Sequence, residues 1–406
     1  MEAPQHILDG YKVLDFTQVL AGPTTTRLMV ELGAEVVKLE LAPGGDFARS
    51  LPWKHETGRS AYHVQQNRGK KSLCIDAKSE EGREVIKGLI SQVDVVIENF
   101  APGTIERLGF PWETVKEIKP RAIMCSISAF GQGGPLTNLP GYDYIAQAYA
   151  GVTHMIGDPD RAPSFPLLGI GDVMTGVHAA AAIGFALLFR EKTGRGQYVD
   201  ISLLDSYFHC HEVNVEIYSA TKGEYEPKRA GSHHYAVCPL GLFKGKDTYM
   251  FIIALDHQWP HLCKAMNRND LITDPRYDTN VKRVEKISEV AAIIEEWLAG
   301  TPDDETALKR LEECRVPCAP VLSIAEAVAH PHLRERKTIR KVEDEIIGEL
   351  EIPGMPLRFS EFPELLDLHA PYLGEHNEEI LDRYLGYGKD KIADLVRSGV
   401  LHRGDT

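Results

Sequence analysis

YKVLDF at residues 11–16, a helix-like run from 23 to about 32, and EVVKLE at 35–40 together set the architecture of this chain. Short runs rich in Val and other apolar residues read as strands. A helical segment between two of them makes a βαβ unit, whose strands pair in parallel. The pattern repeats outward. Residues 72–76 are the next strand candidate, and 79–91 form a helix in which Val85, Leu89 and Ile90 recur at helical spacing. Residues 94–100 and 122–128 are further strands, with a helix at 112–118 between them. A long helix is expected from Asp172 to about Lys192, stopped by TGRG at 193–196, with another strand at 197–203. The rhythm changes near 220. Residues 222–245 are loop-rich, 248–254 strand-like, and 285–298 and 304–313 helical, which reads as a second, smaller α+β unit. Helices at 377–385 and 390–398 close the chain. The fold class is α/β with a mainly parallel sheet.

With 406 residues the chain is long enough for two or three domains at about 150 residues each. Its 43% hydrophobic and 26% charged composition is that of a globular protein. Lys and Arg number 45 against 59 Asp and Glu, a net charge of −14, which opposes nucleic acid and anionic membrane as partners. The first six residues lack the basic-then-apolar order of a secretory leader. The longest apolar stretch, 177–189, is shorter than the roughly 20 residues of a membrane span. Seven cysteines, an odd count without metal-ligand spacing, fit reduced thiols and a cytoplasmic location. These observations point to a cytoplasmic enzyme without a metal.

Familiar catalytic signatures do not occur. There is no G-x-S-x-G elbow, and His211-Glu212 lacks the second His of a zinc-protease helix. His209, Cys210 and His211 are adjacent and point in different directions on a helix, so they read as ordinary packing. GIGDVMTG at 169–176 has its third glycine two places late for a dinucleotide loop, and Asp172 stands where a pyrophosphate would approach. A carboxylate at a helix start is favoured as the anion, and Gly169 and Gly171 leave room for a substrate beside it. The plain reading is a helix cap. An ionised, accessible carboxylate also serves as a nucleophile. NRGKK at 67–71 is a basic turn before a strand, and ENFAPG at 98–103, followed by Arg107, lies at a strand's C-terminal end. Ligands bind outside such strand ends in open α/β sheets. Each segment read alone is a solvated surface; together they offer a site for phosphates and an adenine.

VLDFTQVLAGP at 13–23 and GAEVVKLE at 33–40 resemble the opening of the family III CoA-transferases. The resemblance continues through VIENFAPG at 96–103, FGQGGP at 130–135, GYD at 141–143, Gly171-Asp172, TGRGQ at 193–197 and PYLGEH at 371–376. It implies a Rossmann-like large domain over 1–205, a linker and smaller α+β domain over 206–330, and a return linker with C-terminal helices over 331–406. Two chains would thread through one another as an interlocked-ring homodimer; a heteromer with a paralogous subunit is the other arrangement. The implied nucleophile is Asp172. Its carboxylate attacks an acyl-CoA thioester to give a mixed anhydride and CoA thiolate. An acceptor carboxylate then exchanges into the anhydride, and the thiolate re-forms a thioester. Water must be kept out, and backbone N–H groups near 169–171 are candidate oxyanion donors. Coenzyme A is a substrate here, with no prosthetic group. Positions that match the family's CoA contacts are Val19, Ala21, Ile75, Lys78, Asn99, Phe100, Thr104, Arg107 and Leu108. Tyr142 and Asp143 match an active-site pair.

The departures bear on substrate. Leu20 stands where formyl-CoA transferases carry Gln, Leu41 replaces a CoA-contacting Arg, and the four-glycine loop has no counterpart. Its region carries Arg229, Gly231, His233 and His234. These changes point away from formate and oxalate. Arg229, His233 and His234 are candidates to pair with a second carboxylate, so succinyl-CoA is the preferred donor and a carboxylic acid the acceptor. The alternatives are an α-methylacyl-CoA racemase, which needs two opposed bases and whose histidine is replaced here by Tyr142, and a CoA-binding subunit of a heteromeric transferase.

Overall fold

The computed structural model describes residues 5–404. The first four residues of the segment read for a leader lie outside this range. Contacts divide the chain into two compact units. One comprises Met1–Ala150, Leu167–Cys210 and Pro331–Thr406; the other comprises Gly151–Pro166 and His211–His330. Residues 151–166, expected within the large domain, group with the second unit.

The larger unit is built on six strands among the described residues: β1 (Lys12–Asp15), β2 (Glu35–Leu41), β3 (Lys71–Ile75), β4 (Val95–Glu98), β5 (Ile123–Ser128) and β6 (Gln197–Ser202). Their order is β3-β2-β1-β4-β5-β6, with every neighbouring pair parallel. This is the strand order of dinucleotide-binding folds, with the order reversing between β1 and β4. The helices of this unit's first part are α1 (Ala21–Glu31), α2 (Ala61–Asn67), α3 (Glu80–Ile90), α4 (Thr104–Leu108), α5 (Trp112–Ile118), α6 (Asp143–Tyr149), α7 (Ile170–Thr193) and α8 (Leu203–Phe208). α3 starts at Ser79, whose side chain accepts the Gly82 N–H, and it buries Val85, Ile86, Leu89 and Ile90. That face joins Leu14, Val37, Leu39, Leu73 and Val96 of the strands in the main core. α1 and α7 cover the opposite face, packed on each other and on β1, β2, β5 and β6.

In the second unit, α9 (Asn214–Ala220) precedes β7 (Leu240–Lys244), β8 (Tyr249–Ile253) and, later, β9 (Cys318–Pro320), which form an antiparallel sheet. Its remaining helices are α10 (Trp259–Ala265), α11 (Asn280–Glu285), α12 (Ile287–Ala299), α13 (Asp304–Glu313) and α14 (Ile324–Ala329). The stretch read as loop at 222–245 ends in β7, whose alternation is only five residues long behind a run rich in Gly, Pro and His. The chain closes with α15 (Pro331–Glu335), the hairpin β10 (Ile339–Asp344) and β11 (Gly348–Pro353), then α16 (Asn377–Leu385) and α17 (Lys389–Arg397).

α7 is longer than its apolar centre. Its 24 residues are long and apolar enough to cross a membrane by length and composition. One side of it, with Gly176, Ala179, Ile183, Ala186 and Leu187, is buried in the larger unit. All seven cysteines are free.

Candidate active site

A cavity of about 640 Å³ opens at the C-terminal ends of β1, β4 and β5, at the switch point of the sheet. Gln18, Val19, Leu20 and Ala21 line it from the β1–α1 loop, Asn99 to Pro102 from the loop after β4, and Ser128, Ala129 and Phe130 from the end of β5. Tyr142 and Asp172 complete the wall with Leu203 of α8. Asp172 sits in the first turn of α7. The helix is held beside α1 by a close approach at Gly176: a Cβ there would lie 2.5 Å from the Ala21 carbonyl oxygen. The Thr25 hydroxyl also donates to the Gly176 carbonyl at 3.0 Å. That contact sets the Asp172 carboxylate opposite the start of α1.

Asp143, buried at the start of α6, accepts the Asp172 N–H at 2.9 Å. Its other oxygen accepts the Tyr207 hydroxyl, which in turn accepts the Gly171 N–H at 2.9 Å. Of the expected oxyanion donors at 169–171, the Gly171 N–H is engaged by Tyr207, and the neighbouring Asp172 N–H is engaged by Asp143. Gly171 is small because Tyr207 lies against it, where a Cβ would be 2.1 Å from the ring. Gly169 is small because Leu20 lies against it, where a Cβ would be 2.5 Å from the Leu20 side chain, with Asp172 on the same side. Close packing by Tyr207 and Leu20 accounts for these two glycines, a reason separate from the substrate access that the sequence suggests. The anion-favouring helix start is also overridden. Burial, reinforced by the charge of Asp143, pushes the Asp172 carboxyl up to about 7.

The sequence-derived CoA contacts separate in space. Val19, Ala21, Asn99 and Phe100 line the cavity. Ile75 and Leu108 are packed in the main core. Lys78 is exposed after β3, and the Arg107 guanidinium donates to the Thr104 hydroxyl at 2.7 Å on the surface of α4. Asn99 uses its amide on protein, accepting the Gln18 N–H at 2.7 Å and donating to the Gln18 carbonyl at 2.9 Å. The basic turn at 67–71 is largely not a surface. Arg68 is buried against Glu31, and Lys70 is buried with Asp15 at 3.1 Å. A charged group enters a fold interior only with a partner, and the partners lie far away in sequence.

Gly231, His233 and His234 belong to the second unit. The Arg229 guanidinium there donates to the carbonyls of Asp158 at 2.9 Å and Arg161 at 2.8 Å, tying its loop to the 151–166 segment of the same unit. His233 packs on Phe243, and burial lowers its pKa. His178 contacts the Ser206 hydroxyl at 3.3 Å and the His209 ring. Among the described residues no group of three or more His, Cys, Asp or Glu could hold a metal ion.

Sequence reasoning missed several members of the site. Tyr207 carried no signal beyond its place on a short helix. Tyr62 of α2 lies within electrostatic reach of Asp172, and burial followed by that negative charge raises its pKa. Lys38 and Glu40 did carry a signal: two charges on alternate positions of a strand in a parallel sheet covered on both faces must be paired inside. Lys38 pairs with Asp46 at 3.1 Å, and Glu40 with Arg49 at 2.8 Å.

A doubly covered parallel sheet with a carboxylate facing a cavity at its switch point defines a ligand-binding α/β enzyme framework. Residues 8–377 match the family model of CoA-transferase family III, and the chain belongs to that family. It is 34% identical over 403 residues to human succinyl-CoA:glutarate CoA-transferase, covering 98% of this chain and 91% of that protein. It is 36% identical over 412 residues to formyl-CoA:oxalate CoA-transferase of Streptomyces coelicolor, covering 97% and 99%. A solved CAIB/BAIF family protein from Brucella suis superposes with a TM-score of 0.82 at 33% identity, over 94% of this chain and all of that one. The chain is a CoA-transferase acting through an aspartyl-enzyme.

Proposed function

We propose that Asp172 is the nucleophile that forms this aspartyl-enzyme and that succinyl-CoA is the preferred donor. The observation that carries the reading is the Asp172 carboxylate on the wall of the switch-point cavity, beside Leu20, Asn99 and Phe100. The carboxylate attacks the thioester carbonyl, the C–S bond breaks, and CoA leaves as the thiolate. The acceptor's carboxylate exchanges into the anhydride, releasing the donor acid, and the thiolate then attacks the new acyl carbon and frees Asp172. Phe47, Phe130 and Leu203 support exclusion of water from the anhydride.

Leu20 beside Asp172 supports a donor with an alkyl body, and one relative bears the name of a succinyl-CoA-dependent enzyme. Lys, Arg and His are absent from the described walls of this cavity, so recognition of a distal carboxylate falls to groups outside them, such as those of a second copy of the chain. The working unit in this proposal is the interlocked homodimer. Val173, Val177, Phe185, Leu188 and Phe189, exposed along α7, support a partner over that helix. Seven free cysteines support the cytoplasm as its compartment.

Intact-mass measurement after succinyl-CoA and then hydroxylamine tests both parts. Conversion of one carboxylate to a hydroxamate adds about 15 Da to the wild type and nothing to Asp172→Ala. A gain that persists in Asp172→Ala overturns the nucleophile. Butyryl-CoA, which lacks the distal carboxylate, labels more slowly; equal labelling overturns the succinyl assignment.

A further inference from the structure

Val19, on the cavity wall, has a left-handed backbone with φ of +65°. A β-branched side chain disfavours that conformation, which survives only where the surroundings impose it. Here they do. The Thr17 N–H donates to Asp15 at 2.8 Å, and the Thr17 carbonyl accepts from the Lys38 ammonium. Asn99 grips both the N–H and the carbonyl of Gln18. The Val19 N–H donates to Asp46 at 3.0 Å. Five successive backbone groups are thus held by side chains from four separate places in the chain.

Asp46 is the anchor. One of its oxygens also accepts the Ala48 N–H at 2.9 Å, and the other pairs with Lys38 at 3.1 Å. Both side chains are fully buried. Apolar residues would fill this space at lower cost in desolvation, so stability alone does not account for the ions. Leu20 and Ala21 follow directly. Leu20 presses on Gly169 beside Asp172, and Ala21 begins α1 on the cavity wall.

We propose that Asp46 and Lys38, with Asn99, are positioning residues for acyl transfer: they hold Val19 left-handed and so fix Leu20 and the first turn of α1 against Asp172. The proposal rests on the reading of this cavity as the active site. The buried pair is one end of a lever whose other end is the wall facing the nucleophile.

The test is a double-mutant cycle on the full-length protein. Asp46→Ala lowers kcat about 100-fold, the scale of a small misplacement, while KM for the acyl-CoA changes less. Adding Val19→Gly restores at least about tenfold in kcat, because glycine takes the left-handed backbone without a clamp. A merely structural Asp46 would show no such rescue, so a double variant as impaired as Asp46→Ala overturns the proposal. Should Lys38, left with Asp15 at 3.8 Å as its carboxylate partner, prevent folding, Asn99→Ala, which disturbs no buried charge pair, takes its place with the same rescue expected. Hydrogen exchange reads the loop without turnover. Amides 18–21 exchange faster in either clamp variant, and unchanged exchange overturns the proposal. A wild type that labels with hydroxylamine while the clamp variants keep full kcat refutes this inference alone; absence of wild-type labelling refutes the reading of Asp172 instead.

Discussion

Asp172 stands at a helix start, yet the two N–H groups nearest it are satisfied by Tyr207 and Asp143. Burial and the Asp143 charge therefore decide its proton affinity, and the carboxyl titrates near 7. Attack needs the anion, so the rate of the labelling half-reaction rises with pH and levels off above about 7. Asp143→Asn keeps an oxygen for the Asp172 N–H and removes the like charge. It moves the rising limb to lower pH by less than about one unit, since burial is the larger cause. A stopped-flow pH series on both proteins checks this, and a shift upward would contradict it. The same group makes a stability statement. Its folded pKa lies above the unfolded value of 3.8, so the fold loses stability as pH climbs from about 4 through 7. Asp172→Asn, which has no charge to bury, is then more stable than the wild type by about 2 kcal/mol at pH 8, and the advantage shrinks toward pH 4. Urea melts at the two pH values read the difference.

At the scale of elements, α7 is positioned by contacts that admit no extra atom. Gly171→Ala places a methyl inside the Tyr207 ring, so the start of α7 must shift. The expected result is a kcat loss of about 100-fold, with the protein still folded by circular dichroism. The turn at 67–71 offers a contrasting test. Were Arg68 a phosphate contact, Arg68→Ala would weaken CoA binding. Its guanidinium lies instead against Glu31, so the expected effect is about 3 kcal/mol of stability with CoA affinity unchanged, read by urea melts and calorimetric titration. β2 teaches the same lesson. Val37 and Leu39 face the main core, while Lys38 and Glu40 face the ion pairs of the site side. Strand and period were legible in EVVKLE; the partners Asp46 and Arg49 lie in an irregular turn that no periodicity announces.

For the whole molecule, the exposed apolar side of α7 makes oligomeric state the decisive observation. If the proposed interlocked arrangement holds, sedimentation equilibrium gives twice the chain mass, unchanged on dilution to nanomolar protein, because chains threaded in that way could not part without unfolding. A monomer at those concentrations would remove the interlocked arrangement and leave the exposed Phe185, Leu188 and Phe189 without a partner.

The βαβ rhythm, the parallel sheet and the long helix carrying Asp172 could all be read from the chain, because apolar periodicity and helix stops are local properties. The motifs at 13–23, 96–103 and 171–172 likewise led to the family without coordinates. Tertiary structure alone decided which charges are interior, that Asn99 grips a backbone, that Ile75 and Leu108 belong to the core, and that Asp172 is pushed toward neutrality. Each of these depends on the distance between residues remote in sequence, and on how much water those distances exclude. Electrostatic energies follow separation and burial, and a one-dimensional string specifies neither.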